Sequence, residues 1–228
     1  MEWFAEPTAL IPILWQCRSA VVVVKPAGLS TTSPPGTASV EWRLREQLDR
    51  ADGFLSAVHR LDRDVSGVLM IALSKKSARL LCEQFAARRV SKTYHAWVQG
   101  RLAPSASGAA PERWSDHVRK IEDVARGEVC GPDAPGAKVA ETDVRSIRYD
   151  EAFDRTLIEL KPITGRMHQL RLQTASRGHA ILHDPIYGPA PSADPIALTA
   201  VSLAFHDPHT GVRTKVSFDR QINDPTDT

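Results

Sequence analysis

The pattern of apolar positions in the N-terminal half predicts two buried strands and two helices. Residues 20–24 are apolar and almost entirely β-branched, which is typical of a buried strand. Residues 39–49 have the apolar spacing of a helix that begins at Ser39, a residue type that caps helix N-termini. Residues 67–73 predict a second buried strand, and Ser74 is expected to cap a second helix.

The C-terminal half is dominated by strand patterns. Residues 92–99 alternate as a strand, and residues 139–148 and 155–160 predict two paired strands around a turn. Residues 114–120 predict a short hairpin arm, and a short helix is expected from His168. Because strands dominate without regular strand–helix–strand alternation, we expect an α+β fold with a central, mostly antiparallel, bent β-sheet and flanking helices.

Composition places the chain among ordinary globular proteins. It has 228 residues, of which 42% are hydrophobic and 25% are charged, enough for one sizeable core. We expect a single domain over residues 1–228, with residues 1–19 as an N-terminal extension and residues 219–228 as a flexible tail. No apolar run has the length of a membrane span, and the three cysteines are far apart. These features predict a cytoplasmic protein without membrane attachment. Since nothing in the sequence suggests an obligate oligomer, we expect a monomer.

The charge is nearly balanced overall but unevenly distributed. The formal net charge is +2, which by itself does not mark a nucleic-acid-binding protein. Residues 60–101 carry an excess of lysine and arginine, and residues 161–177 contain four cations and no acid. This distribution suits a partner with a phosphate backbone, although ordinary solvated basic faces are an alternative explanation.

The most informative stretch is residues 58–70, which set a carboxylate between arginines and then enter an apolar strand. On an extended chain Arg60 and Asp62 share one face, while Leu61 points into the core. A carboxylate held on a turn near cations is suited to act as a nucleophile. For an isolated motif of this kind, a structural Arg–Asp pair closing a turn is the more frequent case.

Four blocks in order resemble the pseudouridine synthases of the RluA type. H-R-L-D-R-D-V-S-G at residues 59–67 is similar to the family's H-R-L-D-x-x-T-S-G, with Val65 in place of threonine. The other three blocks are K-P-A-G-L at residues 25–29, K-T-Y-H-A-W-V at residues 92–98, and K-P-I-T-G-R-M-H-Q-L-R at residues 161–171. The resemblance runs from about residue 20 to about residue 218, nearly the whole chain. It implies the pseudouridine synthase catalytic domain in a short form without a separate N-terminal RNA-binding domain.

The resemblance also implies roles for particular residues. Asp62 would be the nucleophile or the base that acts on the ribose, and Tyr94 the stacking platform and proton acceptor. Arg171 would pair with the aspartate, and Arg60 would fill the place that the flipped uridine leaves. The remaining expected RNA contacts are Arg166, His168 and Gln169.

The implied activity is the isomerisation of uridine to pseudouridine in a stem-loop of ribosomal or transfer RNA, or of both. It requires no cofactor, and the histidines and cysteines lack the spacing of a metal site, so we expect neither cofactor nor metal. The sequence departs from the family pattern at Gln173, Ala180 and His183. All three lie outside the expected catalytic trio, so they bear on local loop geometry and RNA contacts.

Two other functions are compatible with the residues. One is a catalytically silent RNA-binding protein on the same fold, in which Asp62 is structural. The other is a hydrolase related in chemistry to glycosidases, with Asp64 as a second carboxylate, although a spacing of two residues does not ensure the separation that such a pair needs. Intact Asp62, Tyr94 and Arg171 argue against the silent binder.

Overall fold

The computed structural model describes residues 10–218, except residues 35, 51, 104–109 and 191. The predicted tail at residues 219–228 and the first nine residues of the predicted extension lie outside this part. The described chain divides into two compact units. Unit 1 contains residues 10–92 and 199–218, and unit 2 contains residues 93–198. The expectation of a single domain stays a prediction.

The chain forms eleven strands and three helices within the described residues. In order they are β1 (Ile13–Gln16), β2 (Ala20–Lys25), α1 (Val40–Gln47), β3 (Ser56–Ala57), β4 (Ser66–Ala72), α2 (Lys75–Ala86), β5 (Ser91–Gln99), β6 (Glu112–Lys120), β7 (Gly127–Cys130), β8 (Lys138–Asp150), β9 (Arg155–Pro162), α3 (Gln169–Ala175), β10 (Leu198–His206) and β11 (Arg213–Ser217). The predicted strands and helices are all confirmed, with ends that differ by a few residues. No helix in the described ranges is long and apolar enough to cross a membrane.

Unit 1 is built around β2 and β4. β2 is buried at every position, as its run of valines predicts, and it pairs antiparallel with both β1 and β4. β4 carries β3 on its other edge near Ile71 and Ala72, and β10 in parallel at Ser66 and Gly67. β10 pairs antiparallel with β11. The chain therefore leaves β3 beside the C-terminal end of β4, passes through the loop that contains Asp62, and enters β4 at its N-terminal end.

Two serine caps begin the helices of unit 1. The Ser39 hydroxyl accepts a hydrogen bond from the Trp42 N–H at 3.2 Å. Ser74 forms a reciprocal capping box with Ser77. Each cap satisfies a backbone N–H that has no partner within its helix, so both helix starts follow from local sequence.

Unit 2 contains an antiparallel series of strands in the order β5, β9, β8, β6 and β7. β6 and β7 form a hairpin in which residues 114–120, predicted to be a short hairpin arm, make up most of the first strand. Leu172 on α3 packs with Val118 of β6 and Ala140 of β8. Helices and mostly antiparallel strands in both units confirm the α+β class.

Candidate active site

The backbone on both sides of Asp62 is fixed, while its side chain is only half-buried. Leu61 is 6% exposed, so it points into the core as the sequence predicts. The Thr31 hydroxyl donates to the Leu61 carbonyl at 3.0 Å and accepts from the Leu61 N–H at 3.2 Å. On the other side, the Val65 N–H donates to the Asp62 carbonyl at 3.1 Å and closes the turn. The carboxyl group therefore stands on a braced turn.

Lys25, at the end of β2, also holds the Asp62 turn. Its side chain is fully buried, and Nζ donates to the carbonyl oxygens of Leu29 at 2.6 Å, Arg63 at 2.8 Å and Pro26 at 3.0 Å. Burial lowers the pKa of Lys25 to about 7, against the opposing effect of the charges on Asp64 and Asp62. The K-P-A-G-L block is thus tied directly to the Asp62 turn.

His59 fills the space on the edge of β4 between β3 and β10. Its Nε2 accepts a hydrogen bond from the Met70 N–H at 3.0 Å, and its ring stacks on Phe85 with centroids 4.8 Å apart. Burial, with a smaller contribution from the charge of Lys92, lowers the pKa of His59 to about 3. The ring is therefore neutral near pH 7, and it completes the edge where β3 has ended.

Gly67, the second residue of β4, has a backbone conformation that requires glycine. Its φ is +116°, and a Cβ atom there would lie 2.6 Å from the Ala200 backbone nitrogen of β10 and closer still to the Ala200 carbonyl oxygen. A side chain at this position would therefore separate β4 from β10. This close approach explains the glycine that follows the Asp62 turn.

The expected RNA contact Arg60 is exposed, two residues before Asp62. Exposure is compatible with a contact to RNA, and that role stays a prediction.

In unit 2, Tyr94 and Arg171 are both buried. Tyr94 lies on β5 opposite Leu160 of β9 and is 9% exposed. Arg171 lies on α3, and Asp184 binds its guanidinium with both carboxylate oxygens, from Nε to Oδ2 at 2.7 Å and from Nη2 to Oδ1 at 2.6 Å. Arg171 is thus held in one orientation by its own unit.

The residue before α3 has an unusual backbone. His168 is left-handed, with φ at 51°, and caps the helix without a side-chain hydrogen bond to it. Its Nδ1 instead lies 2.9 Å from the Tyr187 hydroxyl, which also accepts from the Gly127 N–H at 2.9 Å. His168 therefore links α3 to the start of β7 through Tyr187. Its expected contact with RNA stays a prediction.

The side chain of Gln169 is fully engaged by the protein. Its Nε2 donates to the Glu141 carbonyl at 3.0 Å and to the Thr142 hydroxyl at 2.9 Å. Its Oε1 accepts from the Thr164 hydroxyl at 2.7 Å and the Arg166 N–H at 3.0 Å. An amide has four such positions, so this geometry gives Gln169 a bracing role. The expected RNA contact of Gln169 is untested, and this bracing does not favour it.

Arg166 and Gln173 complete the surroundings of α3. The Arg166 Nε donates to the Val139 carbonyl at 2.9 Å, while its side chain remains half-exposed. Gln173, one of the departures from the family pattern, is fully buried and bonded to Thr142 and Asp116. Gln173 therefore forms part of the buried hydrogen-bond network of unit 2.

The sequence alone indicates no role for Lys25, His59, Asp184 and Tyr187. Lys25 and His59 lie inside the motifs that carry the family resemblance, but nothing local signals the burial of Lys25 or the hydrogen bond of His59 to Met70. Asp184 had a signal, since it is the one acid in residues 178–188 and precedes a proline, as in many turns. Within the described part of the chain, no three His, Cys, Asp or Glu side chains are grouped as metal ligands. The absence of a metal stays a prediction.

Comparison with known proteins adds a family match. Residues 19–176 match the model of a family described as RNA pseudouridylate synthase. That stretch contains Asp62, Tyr94 and Arg171.

Three bacterial relatives illustrate the range of similarity. The chain is 29% identical over 226 residues to the ribosomal large subunit pseudouridine synthase C of Haemophilus influenzae, covering 92% of this chain and 66% of the relative. It is 35% identical over 178 residues to the dual-specificity RNA pseudouridine synthase RluA of Yersinia pestis, covering 77% and 81%. It is 36% identical over 188 residues to the tRNA pseudouridine synthase C of Haemophilus influenzae, covering 78% and 76%. The chain thus spans just under two thirds of the first relative.

Two solved human structures have a similar fold. RNA Pseudouridylate Synthase Domain Containing 1 matches with a TM-score of 0.73 and 25% identity, covering 95% of this chain and 86% of that one. RNA Pseudouridylate Synthase Domain Containing 4 matches with a TM-score of 0.71 and 24% identity, covering 91% and 87%, and that likeness concerns the fold alone.

Proposed function

Because the chain belongs to the RNA pseudouridylate synthase family, we propose that it isomerises uridine to pseudouridine in RNA. The observation that carries the proposal is the Asp62 turn. Its backbone is fixed by Thr31 and Lys25, while Asp62 as a residue remains partly exposed. Holding a reactive group in one place while leaving it open to a substrate is what catalysis by positioning requires.

We propose that Asp62, Tyr94 and Arg171 act together in this reaction. Asp62 acts on the ribose, as nucleophile or as base. Tyr94 supports the uracil ring and accepts a proton, and Arg171 pairs with the aspartate. The four sequence blocks support these roles, and all three residues lie within the family match.

The chemistry balances without an oxidant or reductant. The bond from the ribose C1′ to N1 of uracil breaks, and a bond from C1′ to C5 forms. C5 loses a proton and N1 gains one, so the product is an isomer of the substrate. The proposed reaction therefore needs no redox cofactor. The target uridine must first leave its stack, because the enzyme cannot otherwise reach the glycosidic bond.

The proposed substrate is a stem-loop of ribosomal or transfer RNA, or of both, bound by a monomer of this protein. The names of the relatives, which include ribosomal, transfer and dual-specificity enzymes, support this range. The exposed Arg60 beside Asp62 supports a contact with RNA at the same turn.

Incubation with unmodified transcripts of large-subunit ribosomal RNA and of transfer RNAs tests the proposal. Pseudouridine is mapped at single-nucleotide resolution, and released uracil is measured in the same reactions. We expect pseudouridine at discrete sites and no free uracil. Release of uracil would favour a hydrolase, and binding without product would favour a silent RNA-binding protein.

A further inference from the structure

Arg171 and Asp184 form a buried pair in unit 2. The side chain of Arg171 is 2% exposed, and that of Asp184 is 0% exposed. Two parallel hydrogen bonds join them, from Nε and Nη2 of the guanidinium to the two carboxylate oxygens. A bidentate pair fixes both the position and the plane of the guanidinium, which a single contact does not.

Asp184 is itself held by the turn that follows it. Its Oδ1 accepts from the backbone N–H groups of Ile186 at 2.9 Å and Tyr187 at 3.0 Å. Burial alone would raise the pKa of Asp184, but the hydrogen bonds from Arg171 and from this turn lower it below its usual range. The carboxylate is therefore held in its charged form, and the turn contributes to fixing its orientation towards the guanidinium.

The ring of Tyr187 lies against a face of the Arg171 guanidinium. Its centroid lies 5.3 Å from the guanidinium carbon, within the range of a cation–π contact. The Tyr187 hydroxyl is fixed in turn by the Gly127 N–H and by its contact with His168. Arg171 is thus held at one edge by Asp184 and at a face by an anchored aromatic ring.

We propose that Asp184 is a positioning residue for the reaction, which acts by fixing the guanidinium of Arg171. The proposal rests on the proposed catalytic role of Arg171. Asp184 binds the Nε–Nη2 edge, so it sets the direction of the third nitrogen, Nη1. If Asp184 only stabilised the fold, the reaction rate would not depend on that direction.

Asp184→Asn provides the test, because asparagine is nearly isosteric but replaces one accepting oxygen by an NH₂ group. Asp150→Asn is the matched control. One carboxylate oxygen of Asp150, Oδ2, accepts from Nε of Arg155 at 2.9 Å and lies 2.8 Å from its Nη2, in the same unit. The side chain of Arg155 is only 3% exposed. The control therefore reports the effect of removing a carboxylate charge beside another buried arginine, one that has no proposed part in catalysis.

The first readout does not depend on activity. The Nε–H group of Arg171 is followed by ¹⁵N NMR relaxation and hydrogen exchange, with the signal assigned by its loss in Arg171→Lys. We expect a rigid, slowly exchanging group in the wild type and in Asp150→Asn, and a mobile, rapidly exchanging one in Asp184→Asn. An equally rigid Arg171 Nε–H group in Asp184→Asn would overturn the proposal.

The second readout is a double-mutant cycle on single-turnover pseudouridine formation at saturating RNA. We expect Asp184→Asn to lower the rate about 100-fold, the size of effect that a small misplacement can have, with RNA affinity unchanged. In an Arg171→Lys background the same change should cost less than about 3-fold, because the residues act as one unit. The proposal would be overturned if Asp184→Asn lowered the rate by the same factor with and without Arg171→Lys. A wild-type rate for Asp184→Asn would also overturn it.

The two readouts separate this inference from the proposed function. Absence of pseudouridine formation by the wild type on every RNA would contradict the proposed function, and the NMR result would still decide whether Asp184 orients Arg171. A mobile Arg171 in Asp184→Asn with an unchanged rate would leave the proposed function standing and overturn the role of Asp184.

Discussion

The Nζ atom of Lys25 lies 2.8 Å from the carbonyl oxygen of Arg63, so the end of β2 holds the turn that carries Asp62. Three carbonyl oxygens accept from this one nitrogen. A charged lysine has three N–H donors, and a neutral one has two. Since burial lowers the pKa of Lys25 to about 7, the turn is held by a group that titrates near neutral pH.

We predict that Lys25 makes the free energy of unfolding depend on pH above neutrality. Between about 7, its folded pKa, and 10.5, its ordinary value, the unfolded chain binds a proton that the folded chain has lost. The cost of burying the charge is therefore fully present below pH 7 and is relieved as the pH rises, so Lys25 raises the free energy of unfolding across this interval. Urea unfolding over the interval should show this slope in the wild type and a smaller one in Lys25→Met, in which Lys92, whose pKa burial also lowers, still contributes. Lys76→Met, an exposed lysine on α2, is the control and should keep the slope.

The contact between Gly67 and Ala200 predicts a large effect of one added methyl group. Gly67→Ala would combine an unfavourable φ of +116° with overlap against the β10 backbone, and we expect it to cost about 2–5 kcal/mol of unfolding free energy. Gly28→Ala is the matched control, because Gly28 has a φ of +80° but open space around its Cβ position. It should cost about 1–2 kcal/mol from backbone strain alone. Equal losses in the two variants would show that the contact with β10 is unimportant.

His59 should act as a structural acceptor and not as an acid or base. Its pKa is about 3, so its ring is neutral in the folded protein at neutral pH. As the pH falls from 6.5 towards 3, only the unfolded histidine gains a proton, and the wild type should lose stability over this range. His59→Leu leaves the Met70 N–H without its acceptor and should lower the free energy of unfolding by about 1–3 kcal/mol.

His59→Gln offers an oxygen in its place and should retain activity with an unchanged pH profile between pH 6 and 9. A shifted profile in His59→Gln would give His59 a part in proton transfer.

Local structure was predicted from the sequence because its causes are local. The serines that cap α1 and α2 accept hydrogen bonds from N–H groups three residues further along the chain. The valines of β2 make both faces of that strand apolar. The motif around Asp62 placed a turn followed by a buried strand, which the structure confirms.

The features that the sequence did not predict depend on distant partners. Lys25 is buried because it meets the carbonyl oxygen of a residue 38 positions away. The parallel pairing of β4 with β10 joins Gly67 to Ala200, and no local pattern indicates it. For Arg171, the family resemblance supplied a catalytic aspartate as partner, and the structure adds Asp184. His183, a departure from the family's glycine, adopts a φ of 60° beside Asp184 and keeps the backbone conformation that a glycine allows.

Arg60 should separate RNA binding from catalysis. It is exposed beside the Asp62 turn, and the family resemblance places it in the RNA stack after the uridine leaves. Lysine keeps the charge but not the plane, so Arg60→Lys should retain most of the salt-dependent RNA affinity and lose turnover on a structured stem-loop. An RNA with an unstacked target uridine should recover part of the rate, because extrusion from a stack costs a few kcal/mol. Arg63→Lys, exposed on the same turn, is the control and should keep turnover. Full activity of Arg60→Lys on the stem-loop would contradict the assignment.

The central claim is that the carboxylate of Asp62 performs the chemistry. The most direct measurement compares pseudouridine formation by the wild type, Asp62→Asn and Asp64→Asn on one RNA, with circular dichroism and RNA affinity measured for each. Asp64 is two residues away, and its charge also acts on Lys25, so its variant controls for a lost carboxylate on the same turn. We expect Asp62→Asn to fold and bind RNA but to form no pseudouridine, while Asp64→Asn remains active. Pseudouridine formation by Asp62→Asn at the wild-type rate would contradict the claim.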